Sequence, residues 1–144
     1  MERTLAIIKP DAVANGHAGK ILDRILQDGF AVRAMKLVKL SLAEAEGFYA
    51  VHRERPFFGE LTEFMSSGAC IPLVLEKDGA VAAWREVIGA TNPANADEGT
   101  IRKLFAEDMG RNAVHGSDST ENGRLEANYF FPEHEIVAVS TAQG

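Results

Sequence analysis

TLAIIKPDAVANGHAGKILDRILQDGFAVRAMKLVKL, residues 4–40, changes its hydrophobic period twice. Thr4 to Lys9 is an apolar run closed by a lysine and reads as a buried strand. Ala18, Ile21, Leu22, Ile25 and Leu26 then recur at helical spacing until Gly29 offers a C-terminal cap. Phe30 to Leu40, rich in Val, Leu and Met with basic residues interspersed, reads as a second strand. The stretch is therefore a strand, a helix and a strand.

The same alternation continues outward. Ser41 and Glu44 form a capping box that opens a short helix carrying Phe48 and Tyr49. RPFFGE (55–60) breaks the pattern, Leu61, Phe64 and Met65 place another short helix ending near Gly68, and Ile71 to Glu76 forms a third strand with Pro72 near its start. Asp78 and Gly79 turn the chain into a helix over Ala80 to Ile88, stopped by Gly89. From Gly89 to Gly116 the chain is dominated by Gly, Asn, Pro and Asp, with one short helix at Ile101, Leu104 and Phe105, and a stretch this irregular inside a compact domain is usually functional. A short strand over Ala113 to His115 and a capped helix from Ser119 to Phe131 follow. The pattern predicts an α+β fold, the ferredoxin-like split βαβ arrangement: a four-stranded antiparallel sheet with helices on one face, in a single domain over residues 1–144. Periodicity does not give the strand order.

Composition narrows the function classes. With 46% hydrophobic and 25% charged residues the chain can bury a sizeable core. A net charge of -6 repels polyanions, so nucleic acid is not an expected partner and a small phosphorylated ligand must meet a local positive cluster. MERTLAIIKPD shows no export signal, no apolar run approaches the roughly eighteen residues that cross a bilayer, and the lone Cys70 has no disulfide partner within the chain. A cytoplasmic location without membrane attachment is the expectation.

Familiar catalytic motifs are missing. GHAGKI has the wrong spacing for a P-loop and no hydroxyl after Lys20, and there is no GxGxxG, HExxH, GxSxG or CxxC. What stands out is RNAVHGSDS, residues 111–119, where a histidine on a short strand is followed by glycine and three hydrogen-bonding side chains. By itself such a histidine reads first as a partly buried ring in a structural turn. A metal site from His115 and Asp118 is a further reading.

NAVHGSDS resembles the signature of the nucleoside diphosphate kinases, and TLAIIKPDAV, RPFFGEL followed by FMSSG, and GATNPANADEGTIR resemble further blocks of that family in its order and spacing. The resemblance covers essentially the whole chain. It implies reversible transfer of a terminal phosphate between nucleotides, by a ping-pong mechanism through phosphorylated His115. It further implies that Lys9 and Asn112 share the ribose, with Lys9 also reaching the phosphates, and that the base stacks on Phe57, whose neighbour Phe58 belongs to the core. His52, Arg85, Thr91 and Arg102 would bind the phosphates and stabilise the charge that grows during transfer. Glu126, eleven residues after His115, would orient the ring, while the hydroxyls of Tyr49 and Ser117 assist the moving phosphoryl group or its leaving oxygen. Mg²⁺ would be held through the nucleotide phosphates, with Asp118 at most a water-mediated partner. Nucleoside di- and triphosphates, with ATP as main donor, would be the partners, and the short tail ending STAQG leaves a homo-oligomer open between tetramer and hexamer.

Some positions depart from the family's usual pattern. Ala69 and Cys70 replace a Pro-containing turn, Leu125 stands where a basic residue is frequent, and Gly123 falls inside the helix that carries Glu126. A helical glycine costs roughly 1 kcal/mol relative to alanine, so the expectation is that Gly123 loosens this helix and that Gly123→Ala raises the melting temperature without lowering the rate. The competing class is a regulatory nucleotide-binding module on the same fold with secondary catalysis. Damage to the constellation would mark it, and the constellation is intact.

Overall fold

The computed structural model describes residues 1–139. Its four-stranded antiparallel sheet runs in the order β2-β3-β1-β4, built from β1 (Glu2–Ile8), β2 (Ala31–Met35), β3 (Ile71–Lys77) and β4 (Val114–Gly116). β1 is central, pairing Leu5 with Val74 of β3 on one side and Ile7 with His115 of β4 on the other. The expected second strand is shorter than its apolar stretch: a register shift between Val32 and Ala34 ends the regular ladder near Met35, and Val38 returns only as a bridge to Cys70.

Seven helices join these strands among the described residues: α1 (Pro10–Ala14), α2 (Ala18–Gln27), α3 (Leu42–Phe48), α4 (Phe58–Met65), α5 (Ala80–Ile88), α6 (Ile101–Phe105) and α7 (Thr120–Phe130). The capping box at the start of α3 is formed, with Ser41 Oγ accepting the Glu44 amide and Glu44 Oε1 accepting the Ser41 amide. Ser119 Oγ accepts the Asn122 amide at the start of α7. α1 has no counterpart in the expected elements. Its N-terminal proline suits a first helical position, but five residues are too few to show a helical period.

The split βαβ fold is as expected, but its helices do not lie on one face. Ala6 and Ile8 of β1, with Leu73 and Leu75 of β3, pack against Ile21 and Ile25 of α2 and Trp84 and Ile88 of α5. Leu5 and Ile7, with Val74, point the other way, into a second core made by Ala45 of α3, Met65 of α4, and Ala127 and Phe130 of α7. Successive strand residues face opposite sides, so an uninterrupted apolar run such as Leu5 to Ile8 needs cover on both.

Gly123 is what lets α7 settle on the second face. It is buried, and a Cβ placed on it would stand 2.7 Å from the Arg3 carbonyl oxygen and 3.4 Å from Thr4 Cα, both backbone atoms of β1. The glycine is a close-approach site, which reverses the expectation that it merely loosens the helix. Gly116 plays the same part on the first face, where a Cβ would meet Trp84 Cδ1 at 2.8 Å.

Candidate functional site

β4 and the segments around it gather the signature residues. His115 lies on β4 beside β1, its carbonyl accepting the Trp84 indole N–H at 3.0 Å. Its Nε2 is 2.8 Å from Glu126 Oε1, one helical face into α7, and Ser117 Oγ donates to the same oxygen at 2.8 Å while accepting the Leu5 amide at 3.1 Å. Glu126 can only accept when ionised, so Nε2 carries the proton and the Nδ1 lone pair is left free. Burial pulls the His115 pKa below its ordinary 6.5 despite the opposing pull of Glu126, and the nearby charges of Lys9 and Arg102 push the same way as burial. At neutral pH the ring is therefore neutral, with one nitrogen bonded to Glu126 and the other carrying a free lone pair.

A cationic group adjoins it. Lys9, at the junction of β1 and α1, is buried and donates from Nζ to Asn112 Oδ1 at 2.8 Å, and Asn112 Nδ2 reaches the Thr91 carbonyl at 3.2 Å. Desolvation, helped by Arg102, lowers the Lys9 pKa to about 8. Arg102 on α6 is buried as well, its pKa lowered to about 10 by desolvation and by Arg85. It donates to the carbonyls of Gly89 at 3.0 Å, Val114 at 2.9 Å and Asn112 at 3.4 Å, which leaves two of its five N–H groups for a ligand. Arg85 is exposed on α5 and acts on both Arg102 and Asp118, and a hydrogen bond from Asn122 and the Arg85 charge help hold the Asp118 carboxyl below its usual range.

Backbone strain sits among these groups. Ala113 is the only non-glycine residue with positive φ, at 73°, among the described residues. The Val114 amide donates to the Asn112 carbonyl at 2.9 Å, closing a γ-turn of the strained hand around it, a conformation costing about 1 to 3 kcal/mol. The turn is clamped from outside: Asp11 Oδ2 accepts the Ala113 amide at 3.0 Å and the Lys9 amide donates to the Ala113 carbonyl at 2.8 Å.

The remaining expected residues form the rim. Tyr49 caps the C-terminal end of α3, its ring centroid 6.4 Å from that of His115 and its buried hydroxyl without a protein partner. Burial pushes that phenol strongly up, so it stays a proton donor. His52, three residues on, packs against Phe57 with centroids 5.6 Å apart, and Phe57 keeps 48% of its surface exposed while Phe58 joins the second core. Ser117 is placed differently from its expected part beside the phosphoryl group, since its hydroxyl is spent on Glu126. Among the described residues no three of His, Cys, Asp and Glu converge, so His115 and Asp118 gain no further such group that would make a metal cage. Two surface hollows, of about 340 and 540 Å³, lie beneath Tyr129 and beside Met109 and contain none of these residues. Sequence reasoning missed Asp11, because an acidic residue after a proline at a helix start is ordinary.

A carboxylate-backed imidazole facing buried cations belongs to an enzyme that transfers an anionic group. The chain belongs to the nucleoside diphosphate kinase family, whose model matches residues 2–136. It is similar to the nucleoside diphosphate kinases of Salinibacter ruber, 61% identical over 137 residues covering 95% of this chain and 96% of that protein, and of Chlorobium limicola, 58% identical over 139 residues covering 96% and 99%. Among solved structures it resembles the nucleoside diphosphate kinase of Aquifex aeolicus, with a TM-score of 0.93 and 48% identity over 94% of this chain and 99% of that one. The Encephalitozoon cuniculi nucleoside diphosphate kinase gives a TM-score of 0.92 at 36% identity over 97% and 95%. The chain is thus an enzyme that passes the terminal phosphate of a nucleoside triphosphate to a nucleoside diphosphate. No helix among the described residues is long and apolar enough to cross a membrane.

Proposed function

We propose that His115 is the phosphorylated residue and that Nδ1 is the atom that attacks. The observation carrying this reading is the Nε2 hydrogen bond to Glu126, which fixes the tautomer and turns the other nitrogen's lone pair outward. Nδ1 forms its bond to the terminal phosphorus as the bond from that phosphorus to the bridging oxygen breaks, and the nucleoside diphosphate leaves with the electron pair. Positive charge accumulating on the ring is met by Glu126, itself held by Ser117. A second diphosphate then attacks the same phosphorus in reverse.

Lys9, Asn112, Arg102, Arg85, Thr91 and His52 bind the ribose and phosphates in this reading, and Phe57 offers its exposed face to the base. Stacking on Phe57 needs only a π-face, which suits a catalyst indifferent to base identity. The unpartnered Tyr49 hydroxyl, on a ring 6.4 Å from that of His115, supports its part as a donor to a phosphoryl oxygen. Mg²⁺ fits as a nucleotide-bound ion: Asp118 is an exposed carboxylate beside Arg85, able to meet a hydrated cation through water. When bound, the ion neutralises phosphate charge.

The two cores share one sheet, which supports treating residues 1–144 as one functional domain. A homo-oligomer is supported by the outer edge of β2, where Met35 and the following Leu37 are exposed. The short tail after Phe131, which leaves tetramer and hexamer open, is described as far as residue 139, and its last residues, STAQG, lie outside the described residues. The free buried thiol of Cys70 supports a cytoplasmic setting. Steady-state kinetics test the covalent reading: parallel double-reciprocal lines for ATP against a second diphosphate are expected, together with loss of transfer in His115→Ala. Intersecting lines, or transfer retained in His115→Ala, would contradict it.

A further inference from the structure

We propose that Asp11 is a positioning residue for His115, its carboxylate holding the strained γ-turn at Ala113 that sets where the imidazole stands. The proposal rests on the reading of His115 as nucleophile and concerns a side chain that makes no hydrogen bond to the ring or to any group assigned to the substrate, although its charge is felt by Lys9.

Asp11 is 3% exposed, and a carboxylate is retained there at the cost of desolvation, which raises its pKa. Packing alone would be served by an apolar side chain. What the carboxylate supplies is an acceptor for the Ala113 amide, while its other oxygen has no hydrogen-bond partner. That amide belongs to the turn closed by the bond from the Val114 amide to the Asn112 carbonyl, whose central residue holds φ at 73°. A residue with a Cβ does not keep this conformation unless its surroundings impose it.

On the C-terminal side of the turn the chain enters β4 and reaches His115 two residues later. On its N-terminal side Asn112 has anchors of its own, Lys9 Nζ and the Thr91 carbonyl. Relaxing Ala113 toward negative φ therefore shifts the nucleophile more than the nucleotide contacts. The reaction needs the attacking nitrogen in line with the breaking bond, so the loss falls on the chemical step.

The test is a double-mutant cycle on the full-length enzyme, reading single-turnover phosphorylation of His115 by saturating ATP and Mg²⁺ together with the dissociation constant for ADP. Asp11→Ala should slow phosphorylation on the order of 10²-fold, with ADP affinity close to wild type. Asp11→Asn, which still presents an acceptor oxygen to the Ala113 amide, should keep most of the rate. In an Ala113→Gly background, where positive φ no longer carries a penalty, the cost of Asp11→Ala should shrink by roughly tenfold or more. Equal costs in both backgrounds, or ADP affinity falling in step with the rate, would overturn the proposal. Should Asp11→Ala fail to fold, the double variant must regain a folded and phosphorylatable enzyme, and its failure overturns the proposal as well. A wrong nucleophile assignment would show in wild type as label away from His115, whereas a wrong role for Asp11 shows only in the cycle.

Discussion

Replacing Gly123 by alanine sets two effects against each other. In an exposed helix the change would gain about 1 kcal/mol of helical propensity. In α7 the added methyl meets the Arg3 carbonyl at 2.7 Å, and because that atom belongs to the central strand rather than to a flexible side chain, the helix must move instead. Overpacking of this kind costs about 1 to 3 kcal/mol, and a rigid backbone neighbour puts the site in the upper part of that range. The balance is a net loss of about 1 to 2 kcal/mol, or a melting temperature lower by roughly 3 to 8 °C for a chain of this length. α7 also carries Glu126, so lifting the helix stretches the 2.8 Å bond to His115 Nε2 and slows phosphorylation. Thermal unfolding at fixed protein concentration, run beside single-turnover phosphorylation, reads both. A melting temperature equal to or above wild type with an unchanged rate would refute the close-approach argument and restore the view that the glycine only loosens the helix.

Glu126→Gln should slow phosphorylation by up to roughly 10⁴-fold, by analogy with a lost triad carboxylate, while the ADP dissociation constant changes little; a normal rate, or affinity lost in step with rate, would reduce Glu126 to a surface carboxylate. Phe57→Ala should weaken purine and pyrimidine diphosphates alike by about 1 to 3 kcal/mol in calorimetric titration, and a loss confined to one base would point to polar reading of the base. The pH profile of kcat/KM should be bell-shaped. On the acid side it falls through a pKa below 6.5 as His115 gains a proton on Nδ1, and on the alkaline side it falls through about 8 as Lys9 loses the charge that meets the phosphates. A profile still rising above pH 9, or flat through pH 8, would show that Lys9 is not the cation that matters.

Much of the fold was legible because strand and helix periods alternate cleanly: the capping box at Ser41, the glycine stop at Gly89 and the Ser119 cap all stand where their residue types predict. The cover on the second face was missed, although the unbroken apolar runs of Leu5 to Ile8 and Leu73 to Leu75 carry its signal, since a sheet with one wet face would have interrupted them with polar residues. α1 was not legible, being shorter than two helical turns. Gly123 shows the limit of propensity reasoning, since its worth lies in a contact with a strand more than a hundred residues away. The same limit applies at the site. His115 and Glu126 are linked by local spacing and a recognisable signature, whereas the diversion of Ser117 to Glu126, the three carbonyls held by Arg102 and the Asp11 clamp on Ala113 depend on long-range approach.

In the proposed mechanism the terminal phosphate passes through one particular nitrogen, Nδ1 of His115. Incubation with γ-labelled ATP and Mg²⁺, peptide mapping, and ³¹P–¹H correlation NMR of the intact phosphoenzyme locate the phosphorus directly. Label is expected in the peptide containing His115, stable in alkali and lost in acid, attached at Nδ1, and discharged by any added nucleoside diphosphate. Phosphorus on Nε2 or on a serine, or label that diphosphates do not discharge, would contradict it.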